Sequence, residues 1–359
     1  MPATEVFNVS LRHFLAPVAA FLDDEGISEI MINGPREVYV ERDGTLLRTD
    51  AAFASAESLM AAVRNIAEYA GLTLRAEDMR FDGSLPGGHR VHVVLPPVAR
   101  HGVSLTIRKH TMRLLSAQSL VERRVLSAEA LEYLTAAVLN GRNLLVSGGT
   151  GTGKTTLLNV LSGIIPAGAR ILVLEDTAEL QLQQEHVVSL VCKPPDRKGN
   201  GAVSIRDLLH STLRMRPDRI VVGECRGGEA FDLLQALNTG HDGSMSTIHA
   251  NSPREALGRL ESLALLAGFD VPVQFLRSQV AAAIHVVVQL QRLAGSRMVQ
   301  AIMGVEGLDD RDRYAGRDVF SYDPRAGCLV RQEGGAGGGG SVPRPAGRTG
   351  LAAGGWEQS

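Results

Sequence analysis

Short runs in which apolar and polar residues alternate dominate the first 115 residues. Ser28 to Asn33, Glu37 to Glu41 and Thr45 to Arg48 are separated by Asn33-Gly34-Pro35 and Asp43-Gly44, a pattern that predicts an antiparallel meander. A helix is expected over Ser55 to Tyr69, and two further strands over Gly88 to Leu95 and Val103 to Lys109, either side of Pro96-Pro97. From Ser127 onward strand-like apolar runs alternate with longer stretches of helical period, the signature of a mostly parallel sheet covered by helices. The strands expected there are Asn143 to Ser147, Arg170 to Leu174, Val187 to Cys192, Arg219 to Gly223 and Met245 to His249. Ser252-Pro253-Arg254-Glu255 reads as a capping box with proline at the first helical position, so the strand before it should end near His249.

These patterns divide the chain into an amino-terminal α+β domain over residues 1–115, an α/β domain over 116–333 and a tail over 334–359. Thr111 to Arg124, with mixed charge and few turn residues, is expected to be the linker. The tail holds ten of the 39 glycines and the single tryptophan, Trp356. With so little apolar periodicity it is expected to stay flexible.

Charge narrows the function classes. The 37 basic residues nearly cancel the 39 acidic ones, leaving a formal charge of -2, so bulk coating of nucleic acid or anionic lipid is disfavoured. Aromatics at 4% leave few stacking platforms for single strands. Apolar runs such as Ala281 to Val288 fall far short of a membrane span, and MPATEVFNVSLRHF has no secretory pattern, so a cytoplasmic location is expected. Cys192, Cys225 and Cys328 have no CxxC spacing and read as reduced thiols. Only four of the basic residues are lysines: Lys109, Lys154, Lys193 and Lys198.

Lys154 lies in the most informative stretch. Gly148-Gly149-Thr150-Gly151-Thr152-Gly153-Lys154-Thr155 matches G-x-x-x-x-G-K-[ST] between the apolar strand and a helical run that begins with Thr156. Backbone amides of such a loop bind phosphate oxygens, Lys154 reaches the β- and γ-phosphates, and Thr155 can ligate magnesium. Hydrolysis also needs a carboxylate to orient water. Ile220 to Val222 is expected to be the strand beside the phosphate loop; it ends in Gly223-Glu224, with glycine where a magnesium-side aspartate usually stands. A second acidic strand end, Glu175-Asp176 with Glu179 after it, can hold the metal's water shell. His249 closes another strand of the same sheet and is read as a γ-phosphate sensor or domain-coupling group, with His241 the weaker candidate.

In this order the segments SEIMINGPREVYVERDG, GGTGTGKTTLLN, LVLEDTAELQL, LRMRPDRIVVGECRGGEA and TGHDGSMSTIHANSP resemble the secretion ATPases of type II, type IV pilus and type IV secretion systems. The resemblance is strongest to the CpaF-like ATPases of Tad/Flp pilus assembly. It implies a RecA-like P-loop core working as a homo-hexameric ring with ATP and Mg2+, peripheral at the cytoplasmic membrane against a platform protein, without direct nucleic acid. By the same resemblance Glu224 is the catalytic glutamate, Glu175 and Glu179 serve the Asp box with Glu175 and Glu224 near the metal, and His249 serves the His box. Arg90 and Arg108 match amino-domain arginines that reach the nucleotide, with Arg214, Arg216 and Arg226 as further candidates. Cys225 departs from the apolar residue usual there, and the amino-terminal region is short for a CpaF-like protein. Two alternatives are a conjugative-transfer or DNA-translocating ATPase, and a nucleotide-gated scaffold with little turnover. An ABC-type subunit is disfavoured, because Leu161-Ser162-Gly163-Ile164 diverges from LSGGQ after three positions.

Overall fold

Alternation in the amino-terminal third is built into a six-stranded antiparallel sheet. The computed structural model describes residues 10–42, 44–109, 115–193, 195, 199–293 and 296–332. It forms two compact units that divide between Arg113 and Leu114. In the first, α1 (Ala19–Asp23) precedes β1 (Ile27–Asn33), β2 (Val38–Arg42) and β3 (Thr45–Arg48); α2 (Ala56–Tyr69) leads to β4 (Arg80–Ser84), β5 (Arg90–Val94) and β6 (Ser104–Arg108). The strand order is β3-β2-β1-β6-β5-β4. A register shift between Ile27 and Glu29 lets Ile27 and Ile30, three apart, face the same core. Over that core lies α2, capped by Ser55 and burying Leu59, Ala62, Val63, Ile66 and Ala67 at helical spacing. The strand β4 was not foreseen: Phe81 is its one buried residue, and pairing with β5 rather than an apolar pattern specifies it.

The second unit begins with α3 (Ala117–Glu122) and α4 (Ala128–Leu139), followed by β7 (Leu144–Gly148), α5 (Lys154–Ser162), β8 (Ile171–Glu175) and β9 (Val187–Val191). Next come α6 (Ile205–Thr212), β10 (Arg219–Val222), α7 (Glu229–Asn238), β11 (Met245–Ile248), α8 (Pro253–Leu265) and α9 (Val273–Ala283). The chain then forms β12 (Val286–Leu293), β13 (Ser296–Leu308), β14 (Tyr314–Asp323) and β15 (Cys328–Arg331). All fifteen residues of β7, β8 and β12's first five are buried, as strands covered on both faces must be. Leu144, Val146, Ile171 and Val173 pack with α4 and α5 on one face. Leu145, Leu174, Ile220 and Val222 pack with α6 to α9 on the other.

Three expectations are corrected here. The sheet order is β15-β14-β13-β12-β7-β11-β10-β8-β9, so β11 separates the strand of Glu224 from β7; the two are not neighbours. Beyond β12 the parallel sheet continues into three antiparallel strands that helix-strand alternation did not signal. The stretch read as a linker belongs to the second unit from α3 onward: Leu120 is buried, and the Val299 amide donates to the Val125 carbonyl. The capping box at Ser252 is half present. Ser252 accepts from the Glu255 amide, but the Glu255 carboxylate takes the amide of Asn251. The Gly-rich tail lies outside the described residues, and among those described no helix is long and apolar enough to cross a membrane.

A polar knot fastens the helical layer to the antiparallel extension. Glu261 on α8 takes Nε and Nη2 of Arg277 on α9 at 3.0 and 3.1 Å and the Tyr314 hydroxyl of β14 at 2.7 Å. Glu261→Ala strands a partly buried guanidinium and phenol, so stability should fall by about 2 kcal/mol, with a smaller loss for Glu261→Gln. Chemical denaturation monitored by circular dichroism checks this; an unchanged midpoint for Glu261→Ala would remove the knot from the fold's supports.

A candidate active site at the carboxyl edge of the parallel sheet

Where β7 ends the backbone turns tightly because glycine allows it. A methyl group added to Gly148 would sit 2.6 Å from Thr152 Oγ1 and 2.8 Å from the Leu290 carbonyl, so the loop packs directly against β12. Gly151 and Gly153 adopt φ of +70° and +96°, the left-handed region. Thr152 closes the loop by donating to the Gly149 carbonyl at 2.9 Å, and Thr150 stands exposed at its tip. Gly153 is the N-cap of α5 and offers no side chain, so the first-turn amides of Lys154, Thr155 and Thr156 are available to an anion. The ammonium of Lys154 lies across this cradle, donating to the carbonyls of Gly148 and Gly149 at 3.0 and 2.9 Å.

The acidic strand ends and His249 converge on that lysine. Glu224, just past β10, places Oε1 2.8 Å from His249 Nε2 and Oε2 2.6 Å from Arg226 Nη2. His249 in turn lies 3.4 Å from Lys154 Nζ. Burial, with Lys154 next, holds the His249 imidazole below its usual range against the opposing pull of Glu224. Both ring nitrogens, Nδ1 and Nε2, lie 3.4 Å from Lys154 Nζ, so the imidazole sits between the ammonium and the Glu224 carboxylate. The strand ends are tied as well: Thr247 Oγ1 donates to the Gly223 carbonyl at 2.7 Å, and the Cys225 amide to the Thr247 carbonyl at 2.9 Å.

Gly223 now has a physical reason. A methyl there would lie 3.1 Å from Cγ of Glu175, so the carboxylate of the neighbouring strand β8 fills the space that a side chain on β10 would enter. Glu175 is 3% exposed, and its Oε1 accepts from the amides of Glu179 and Leu180 at 2.9 and 3.0 Å. It thereby shapes the turn that carries Asp176 and Glu179. No group of three or more metal-ligating side chains occurs among the described residues. The Thr155 hydroxyl, in the first turn of α5, fits magnesium held chiefly by phosphate oxygens and water.

The arginine candidates sort by position. Arg226 bonds Glu224 and lies 3.7 Å from Asp176, so in this conformation it clamps two acidic strand ends instead of reaching out as a finger. Arg214 and Arg216 precede β10 and lie at the opposite edge of the sheet. So does His241, before β11, whose Nδ1 meets the Ala236 carbonyl at 3.0 Å as a structural contact. In the amino-terminal unit Arg90 and Arg108 are direct cross-strand partners on β5 and β6. Two like charges so placed repel unless an anion or acid offsets them, and Glu29 lies opposite Arg108 on the other side. Cys225 is 2% exposed, and burial pushes its thiol far up; it serves as a small apolar core residue. Sequence reasoning missed the clamp role of Arg226, although the arginine two residues after the glutamate was in view, and missed Asn159, whose Oδ1 holds the Gln181 amide at 2.8 Å.

Comparison with known proteins bears on the family. A family model described as type II/IV secretion system protein matches residues 13–336. A putative conjugal transfer protein of Mycobacterium tuberculosis (strain CDC 1551 / Oshkosh) is 38% identical over 288 residues, covering 78% of this chain and 81% of that protein. The conjugal transfer protein TrbB of Rhizobium radiobacter is 37% identical over 294 residues, covering 80% and 86%. The type IV secretion system protein VirB11 of Bartonella quintana (strain Toulouse) is 32% identical over 327 residues, covering 80% and 91%. Among solved structures, the Legionella pneumophila ATPase DotB aligns with a TM-score of 0.57 at 18% identity, covering 84% of this chain and 82% of that one. The pilus retraction motor PilT with bound ADP aligns at 0.56 and 18%, covering 81% of each. Those two likenesses are of fold. Taken with the phosphate loop and its converging acids, the family match shows that the chain belongs to the type II/IV secretion system protein family and is an ATP hydrolase of that superfamily.

Proposed function

We propose that the chain hydrolyses magnesium ATP in a homo-hexameric ring and that the resulting movement of its units powers pilus assembly or protein secretion, in a Tad/Flp or related type II/IV system. The observation that carries the reading is the line Lys154, His249, Glu224 at one edge of the sheet, with 3.4 and 2.8 Å between successive groups. Phosphate binding draws Lys154 from its own loop carbonyls to the β- and γ-phosphates, while the amides from Gly149 to Thr156 hold their oxygens. Glu224 orients water and takes its proton; His249 links that carboxylate to the lysine and so reports whether a γ-phosphate is present. Thr155, with the phosphate oxygens, would hold magnesium, which would supply charge neutralisation. Arg90 and Arg108 offset charge that develops on the transferred group. Contact with a membrane platform protein brings the ring to the cytoplasmic face of the membrane.

A second reading, a motor for conjugative transfer, is favoured by the names of the Mycobacterium tuberculosis and Rhizobium radiobacter relatives. The two readings differ in what stimulates turnover. Near-neutral charge argues for stimulation by the platform protein's cytoplasmic domain and little by DNA. Steady-state ATPase assays with each additive decide, and severalfold stimulation by DNA alone would favour the conjugative motor.

Glu224→Gln should keep ATP binding and lose at least about 100-fold in turnover. Equilibrium binding and phosphate release measured side by side test it, and wild-type turnover would remove Glu224 from its role. Because His249 is held below the usual imidazole range, it stays neutral through neutral pH. Turnover should therefore be flat from alkaline to neutral pH and decline only below about 6.5, as the ring takes a second proton and becomes a cation beside the Lys154 ammonium. A pH profile whose acid limb starts above neutrality would contradict this arrangement.

A further inference from the structure

One wall of the phosphate loop comes from a hairpin that the sequence motifs do not include. Strand β12 runs alongside β7 with Leu290 opposite Gly148, so its last residues continue past the end of β7 beside the loop. There β12 pairs with β13, and Arg292 and Arg297 are direct cross-strand partners. The stem of Arg297 lies over the loop: a methyl built on Gly153 would be 3.7 Å from Arg297 Cδ. Arg297 is exposed and makes no ion pair or side-chain hydrogen bond with another described residue in the structure. Beside a loop whose amides collect anions, the exposed Arg297 guanidinium adds positive charge suited to a polyphosphate.

Position decides which part of the nucleotide is met. Glu224 and His249 follow β10 and β11, on one side of β7, and the γ-phosphate faces them in the reading above. Strand β12 lies on the other side of β7, so the remainder of the nucleotide runs toward the hairpin. We infer that Arg297 is a nucleotide-binding residue supplied by the same chain, which contacts the diphosphate portion that ATP and ADP share. It differs from an arginine finger in two ways. It acts on substrate and product alike, and it does so without a second unit. Gly153 itself is demanded by its φ of +96°, and the Arg297 stem passes over it within ordinary van der Waals reach.

This inference rests on the assignment of the phosphate loop to ATP, and the test separates the two. Binding of ADP and of ATP with magnesium is measured by isothermal titration on the full chain and on Arg297→Ala, Arg297→Lys and Arg297→Glu. Loss of one charged hydrogen-bonding contact should weaken ADP and ATP alike by about tenfold in Arg297→Ala, with a larger loss in Arg297→Glu and partial recovery in Arg297→Lys. KM for ATP should rise by more than kcat falls, and the melting temperature without nucleotide should match that of the unaltered chain because the side chain is exposed. Equal ADP affinity in Arg297→Ala and the unaltered chain overturns the inference and leaves the ATPase reading standing. Loss of ATP affinity with ADP affinity kept also overturns it, because that pattern belongs to a γ-phosphate contact. Failure of the unaltered chain to bind either nucleotide overturns both.

Discussion

The carboxylate of Glu224 is the point on which the site depends. Its two oxygens are held by His249 from β11 and by Arg226, which also approaches Asp176 beyond β8. Three strand ends are thus joined through one side chain that is 17% exposed. A carboxylate at that depth is tolerated because Arg226 donates to one oxygen at 2.6 Å and His249 stands 2.8 Å from the other; removing Arg226 leaves it with poor compensation. The parallel sheet makes this convergence possible, since all its strands point their carboxyl ends at one edge.

Close packing sets the rest of the geometry. The loop can turn between β7 and α5 because Gly148 lets the Leu290 carbonyl approach, and Gly223 leaves room for the Glu175 carboxyl. At each place the space left by a glycine is occupied by a neighbouring strand or loop group. The site is therefore built from absences of side chain as much as from the side chains that act, and its precision comes from strands β8, β10, β11 and β12 that flank it rather than from the loop alone.

Much of this was legible before the fold. The phosphate loop, the strands at β7, β8, β10 and β11, the amphipathic α2 and the amino-terminal meander follow from spacing and turn chemistry, which are local. The edge strand β4 and the extension β13 to β15 were not, because half-exposed edge strands carry little apolar pattern and take their pairing from a neighbour. Lysines show the same division. Lys154 was explained by its motif, whereas Lys109 had no visible reason until its ammonium proved to close the end of α1, donating to the carbonyls of Phe21 and Asp24 at 3.0 and 2.6 Å.

By itself the sequence determined that a phosphate-loop motif stands at Gly148 to Thr155 between a strand and a helix, that acids and a histidine close nearby strands, and that a mixed domain precedes them. Those features are written in contiguous residues, where motif and local structure coincide. Only the tertiary structure decided that β11 stands between β7 and β10, that Arg226 restrains Glu224, that Arg90 lies beside Arg108, and that Arg297 leans on the loop. Strand order and register bring together residues distant along the chain, and with 33 arginines available the sequence holds no signal to say which of them meet an acid, which meet each other and which face the nucleotide.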